Sequence, residues 1–134
     1  MNNHELIQRA LSVIHPLGDG GEFSAGTVSA ALETASGKVY VGVCVDTGSG
    51  MGYCAEANAI GSMLSDGETE IMQVVAVWRD DSGKSFVVAP CGRCRQFITA
   101  VSKKNLDTKA LVGPAQAVPI RDLLPFHDSY VSVD

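Results

Sequence analysis

The stretch MQVVAVW, residues 72–78, constrains the fold more than any other. It is a nearly continuous apolar run, the pattern of a strand covered on both faces. Such a strand needs one layer above the sheet and one below. Residues 5–14 place Leu6, Ile7, Ala10, Leu11 and Ile14 on one helical face. The His15–Pro16 pair predicts the end of that helix, because a residue before proline avoids helical angles. LGDGGEFSAG, residues 17–26, is a loop by composition. TVSAALE and KVYVGVCV read as two strands joined by a turn at Ser36–Gly37. In the second, Val39, Val41, Val43 and Val45 share one face, and Tyr40, Gly42 and Cys44 the other.

DTGSGMGY then reads as a loop, and CAEANAIGSML as a helix of small residues suited to close packing on a sheet. SFVVA is a short strand. CGRCRQFITAVSKK is a helix with Phe97, Ile98 and Val101 on its buried side and Lys103 and Lys104 near its negative end. KALVG predicts a last strand and PIRDLL a short helix. Helices alternate with strands, which is the pattern of an α/β layered domain. The expected organisation is one domain over residues 1–134, long enough to bury a core.

The net charge of −5 argues against a nucleic acid polymer as partner, which calls for a basic face. It leaves room for a nucleoside, which carries no phosphate. No apolar run reaches the length of a membrane span, so no membrane partner is expected. The opening MNNHELIQRA lacks the basic and hydrophobic segments of a signal peptide, so the expected location is cytoplasmic. In that reducing compartment the four cysteines read as free thiols or metal ligands.

Three of those cysteines form a chemically legible set. Cys91 and Cys94 stand in PCGRC, and Cys54 opens an earlier helix in CAE. A lone C-x-x-C fits either zinc or thiol exchange. A third cysteine at another helix start favours zinc (Zn2+), held by three thiolates with the fourth position open. Zinc lowers the pKa of bound water to about 7. Helix N-termini favour thiolates and offset part of their charge, and Arg93 and Arg95 are placed to act in the same sense. Glu56, two residues past Cys54, is placed to move a proton between water and substrate. Two other classes stay open: a non-catalytic zinc module closed by a fourth ligand, and a thiol-disulfide exchange protein. Cys44 is the candidate fourth ligand, but among strand valines it reads better as a packing residue or pocket wall.

A His or Cys, x, Glu, followed later by P-C-x-x-C, is the signature of zinc deaminases. The chain resembles the cytidine deaminases in their three-cysteine form. VSAAL is similar to that family's first-strand motif, CAE and PCGRCRQ to its two zinc motifs, and RDLLP to a C-terminal motif. The resemblance implies that Cys54, Cys91 and Cys94 bind zinc and that Glu56 shuttles protons. It implies that the backbone of Ala55 and Ala89 contacts the pyrimidine edge. The reaction implied is attack at C4 of a cytosine ring, with loss of ammonia. The substrate implied is a small aminated pyrimidine or an analogue.

The resemblance also implies a three-layer α/β/α sandwich with a mixed sheet of about five strands, and a homotetramer. One departure bears on substrate. The family's N-x-E-N, whose Asn and Glu grip ribose, is matched here by Cys44 at the Asn position and Asp46 at the Glu position. Cys is a poor hydrogen-bonding substitute for Asn. An enzyme not tuned to plain cytidine is therefore expected.

Overall fold

The computed structural model describes residues 1–19 and 21–134. The chain runs α1 (Asn3–Leu11), β1 (Phe23–Thr34), β2 (Val39–Thr47), α2 (Ala55–Ser65), β3 (Ile71–Arg79), β4 (Ser85–Val88), α3 (Gly92–Val101), β5 (Lys109–Gly113) and β6 (Gln116–Pro119). Short 3-10 turns lie at Lys103–Asp107 and Ile120–Leu123. The strands form one mixed sheet in the order β2-β1-β3-β5-β6, with β4 also paired to β3.

The apolar run MQVVAVW lies within β3, the hub of the sheet. On one side β3 pairs antiparallel with β1. On the other, Gln73 and Val74 pair parallel with β5, while Ala76 to Arg79 pair antiparallel with β4. Alternate residues of the run serve opposite layers. Val75 and Val77 pack with Leu6, Ala10 and Ile14 of the α1 side. Val74 packs with Ala59, Ile60, Met63 and Ile98 of α2 and α3, and Ala76 with Ala30, Cys44 and Ala55. The result is the expected three-layer α/β/α sandwich, with six strands rather than about five. Leu32, Ile60 and Ile98 are fully buried. Burial of each such side chain contributes about 1.5–3 kcal/mol.

The small residues of α2 have a specific use. A Cβ on Gly42 of β2 would lie 2.5 Å from the Ala59 nitrogen and 2.8 Å from the Ala55 oxygen. Helix and strand backbones therefore touch, and any side chain there forces them apart. Asn58 Nδ2 donates to the Val43 carbonyl at 3.0 Å, which fixes the helix along the strand.

Several expectations are corrected. α1 ends at Leu11, before Ile14, because Val13 and Ile14 donate to carbonyls three residues back. Those bonds tighten the exit, and His15 then pairs with Gly26. Ile14 still packs in the core cluster beside α1. The expected loop 17–26 is partly strand, since β1 begins at Phe23. Gly26 sits at φ +80, where a Cβ would collide with the His15 carbonyl oxygen, and pairing with β2 is irregular between Ala25 and Ser29. The glycine marks a bulge inside a strand, a role glycine takes as readily as a loop. Lys103 and Lys104 belong to the 3-10 turn, not to the last turn of α3. β6 is four residues long and half-buried, without a readable alternation.

Asn105, buried in that 3-10 turn, carries a load no sequence pattern announces. Its Oδ1 accepts from the Ile71 N–H at 2.8 Å, and its Nδ2 donates to the Thr69 and Ile98 carbonyls. One satisfied amide thus ties the end of α3 to the start of β3. Among the described residues, no helix is long and apolar enough to cross a membrane.

Candidate functional site

Two helix starts meet beside the second half of β3. β2 leads through a loop into α2, and β4 leads through Ala89 and Pro90 into α3. The first loop is stitched to β2, because Tyr53 and Val45 exchange backbone hydrogen bonds. A Cβ on Gly52 would stand 2.6 Å from the Val45 oxygen, so the approach requires glycine. The residues that follow the two connections are Cys54 and Cys91. Each is the N-cap of its helix, and neither side chain caps its own backbone. Both sulfurs are therefore free for other partners. Cys94, in the first turn of α3, is fully buried.

The Cys54 and Cys91 sulfurs are 3.5 Å apart, and all three sulfurs lie within 4.8 Å of one another. Tetrahedral zinc with bonds of about 2.3 Å spaces its sulfurs by about 3.8 Å, so the three cysteines fit that ion. Their acidities support the fit. Burial, then the charges of Glu56 and Cys54, push the Cys94 thiol well above its usual range. Burial and the Cys91 thiol push Cys54 up. Burial opposes ionisation of Cys91 too, but the Cys94 backbone N–H and the other two thiols hold it below its usual value. Three thiols this close cannot all ionise alone, and a divalent cation removes that conflict.

Glu56 is 5% exposed and lies in the first turn of α2. Burial raises its carboxyl above the ordinary range, while its own backbone N–H pulls the other way. The carboxyl stands at the wall of a cavity of about 470 Å³. That size is within the usual range for small-molecule sites. Cys44, Asp46, Ala55, Ala89, Cys54 and Cys91 also line it, whereas Cys94 sits behind the wall. Sequence elements far apart in the chain thus converge on one concavity.

Cys44 is both a packing residue and a cavity wall. Its sulfur accepts from the Val28 N–H at 3.4 Å and lies 3.5 Å from the Thr27 hydroxyl. Asp46 is exposed. The two arginines part company. Arg93 lines the cavity, but Arg95 donates from Nε to the Pro90 carbonyl at 2.7 Å and from Nη1 to the Leu123 carbonyl at 3.3 Å. Arg95 ties the entry of α3 to the second 3-10 turn, so its expected role beside the thiolates gives way to a bracing one. Sequence reasoning missed Val28, Ala76 and Val88 as apolar walls, and Tyr53 at the rim. Only the adjacency of Tyr53 to Cys54 pointed to any of them.

Comparison with known proteins agrees with this geometry. Residues 2–108 match the family described as the cytidine and deoxycytidylate deaminase zinc-binding region. Blasticidin-S deaminase from Bacillus cereus is 33% identical over 103 residues, 73% of this chain and 74% of that protein. A probable cytidine deaminase from Dictyostelium discoideum is 37% identical over 71 residues, 52% of this chain and 46% of that protein. The cytidine deaminase structure from Mycobacterium leprae aligns with a TM-score of 0.74 at 26% identity, over 93% of this chain and 98% of that one. That from Mycobacterium tuberculosis gives 0.75 at 25% identity, over 97% and 99%. With three zinc-compatible thiols at paired helix starts and a match over most of its length, this chain belongs to the cytidine and deoxycytidylate deaminase zinc-binding family.

Proposed function

We propose that this chain hydrolytically deaminates a cytosine-type nucleoside or nucleoside analogue, of the cytidine, deoxycytidine or blasticidin-S kind, to the uracil product and ammonia. The observation that carries this reading is the buried Glu56 carboxyl on the wall of a cavity that two of the three clustered thiols, Cys54 and Cys91, also line. Cys54, Cys91 and Cys94 are the zinc ligands in this reading. The ion, when bound, supplies a Lewis acid that makes hydroxide available near neutral pH.

The chain's own residues do the rest. Glu56 takes a proton from the attacking water and returns it to the ring nitrogen. It then carries the second proton to the departing amine. A C4–O bond forms, the C4–N bond breaks, and the nitrogen leaves as ammonia. A carboxyl raised by burial suits a group that must both accept and give a proton near neutral pH. The backbone of Ala55 and Ala89 holds the pyrimidine edge. Cys44 and Asp46 face the part of the substrate beyond the base. With a thiol where a hydrogen-bonding amide is needed for ribose, cytidine itself is not the preferred substrate.

The test is ammonia release from zinc-loaded protein across cytidine, deoxycytidine, cytosine and blasticidin S. Release from at least one, with cytidine not ranking first, is the expected result. Silence across all four sinks the reading, and cytidine ranking first sinks its substrate clause.

We also propose that the chain works as a homotetramer in the cytoplasm. Support for assembly comes from the C-terminal segment, where Phe126, Tyr130, Val131 and Val133 are almost wholly exposed. A row of exposed apolar side chains is a surface that a second copy can cover. Sedimentation is expected to give four times the chain mass. A monomer mass at micromolar concentration rules the assembly out.

A further inference from the structure

Resting on the reading of Cys54, Cys91 and Cys94 as the zinc ligands of a deaminase, we propose that Cys54 and Cys91 are an oxidative modification site. A peroxide joins them as a disulfide across the two helix starts, which leaves one ligand of the three and shuts the enzyme off reversibly. The two sulfurs stand 3.5 Å apart. Closing a disulfide at about 2.05 Å asks for a movement of about 1.5 Å. Each residue is the N-cap of its helix. Rotation about the Cα–Cβ bond therefore drives neither sulfur into a preceding helical turn.

The C-x-x-C spacing points to a different couple, Cys91 with Cys94. Access separates the two choices. Cys91 is exposed and Cys54 half-buried, and both line the cavity of about 470 Å³, which readily admits a peroxide. Cys94 is fully buried behind that wall. Oxidation of a thiol follows its access, so Cys91 reacts first and Cys54, on the same wall, resolves it. The Cys91 sulfur attacks one peroxide oxygen: an S–O bond forms, the O–O bond breaks, and the departing hydroxide leaves as water with the thiol proton. The Cys54 sulfur then attacks the Cys91 sulfur: an S–S bond forms, the S–O bond breaks, and a second water leaves with the Cys54 proton. Where the sulfurs start as thiolates, both protons come from solvent. The sulfurs lose two electrons and the peroxide gains them. Disulfide sulfurs are no longer thiolate ligands, and an added thiol reverses the bond by exchange.

The competing account is that the sulfurs stand close only to hold the ion, which then shields them from oxidants. The experiment separates the two. Zinc-loaded and metal-free protein are given graded amounts of hydrogen peroxide. Freed zinc is read with a chromogenic indicator, cysteine connectivity by mass mapping of unreduced peptides, and turnover by ammonia release. The zinc-loaded protein is expected to lose zinc and ammonia release in step with a Cys54–Cys91 cross-link. A thiol reductant with added zinc is expected to restore both. Cys94→Ser, in metal-free form, is expected to give the same cross-link, because the buried thiol takes no part in it.

Zinc-loaded protein that keeps its zinc and turnover at peroxide levels that cross-link the metal-free form overturns the proposal in favour of shielding. A Cys91–Cys94 disulfide as the main product overturns it in favour of the C-x-x-C couple. Sulfinic acid on Cys91 with no cross-link overturns it outright. Zinc loss with a Cys54–Cys91 cross-link, in a protein that releases no ammonia from any probe before treatment, removes the deaminase reading and leaves the modification site standing.

Discussion

Glu56→Gln lowers kcat by about 10²–10⁴-fold while zinc content and fold are retained. Glutamine has nearly the same shape, so the cavity wall is preserved. It cannot accept a proton, so the water and the departing amine lose their relay. The site is 5% exposed, which leaves little bulk solvent to take over the transfer. The change also removes a buried ionisable group, so stability is expected to hold or rise slightly. Ammonia release, metal analysis and circular dichroism on the same sample check all three statements. A variant with near wild-type turnover takes the proton-shuttle role away from Glu56.

Cys94→Ser strips the protein of tightly held zinc and lowers its melting temperature by about 10 °C or more. Two of the three ligands remain, but Cys94 is the fully buried one that closes the set from behind. An ion bound to the folded chain and not to the unfolded one stabilises it by about 4 kcal/mol at a thousandfold excess over its dissociation constant. For a chain of this length each kcal/mol is worth roughly 2–8 °C. Treatment of wild type with a strong chelator is expected to reproduce most of the drop, and added zinc to reverse it. Calorimetric melting with and without chelator measures both. Equal melting temperatures for the two forms of wild type mean that zinc plays no part in holding α2 and α3 together.

Both expectations rest on residues that were legible before any fold was known. C-A-E and P-C-G-R-C sit far apart in the chain, yet their residue types and helix-start positions already pointed to three thiolates and a carboxylate. MQVVAVW likewise announced a twice-covered strand, because alternate side chains of β3 serve opposite layers. The small residues of CAEANAIGSML announced close packing, and Gly42 is the point where it happens.

Other features had no local signal. Gly26 looked like loop because glycine serves loops and bulges alike, and only pairing with β2 decides between them. Arg95 looked like a partner for thiolates because it lies next to one. Its direction is set by the Pro90 and Leu123 carbonyls, the second of them 28 residues away. Asn105 is an ordinary polar residue until Thr69, Ile71 and Ile98 close around it.

The sequence by itself determined the layered class, the donor set and the placing of those donors at helix starts. These follow from side-chain chemistry and from periods of two and 3.6 residues, which are local properties. The tertiary structure decided which helix starts meet, which cysteine is buried, and which arginine faces the cavity. Those outcomes depend on β4 and β5 sharing one edge of β3 and on two glycines that let backbones touch. Contacts of that kind join residues distant in the chain, and their geometry exists only once the sheet has formed.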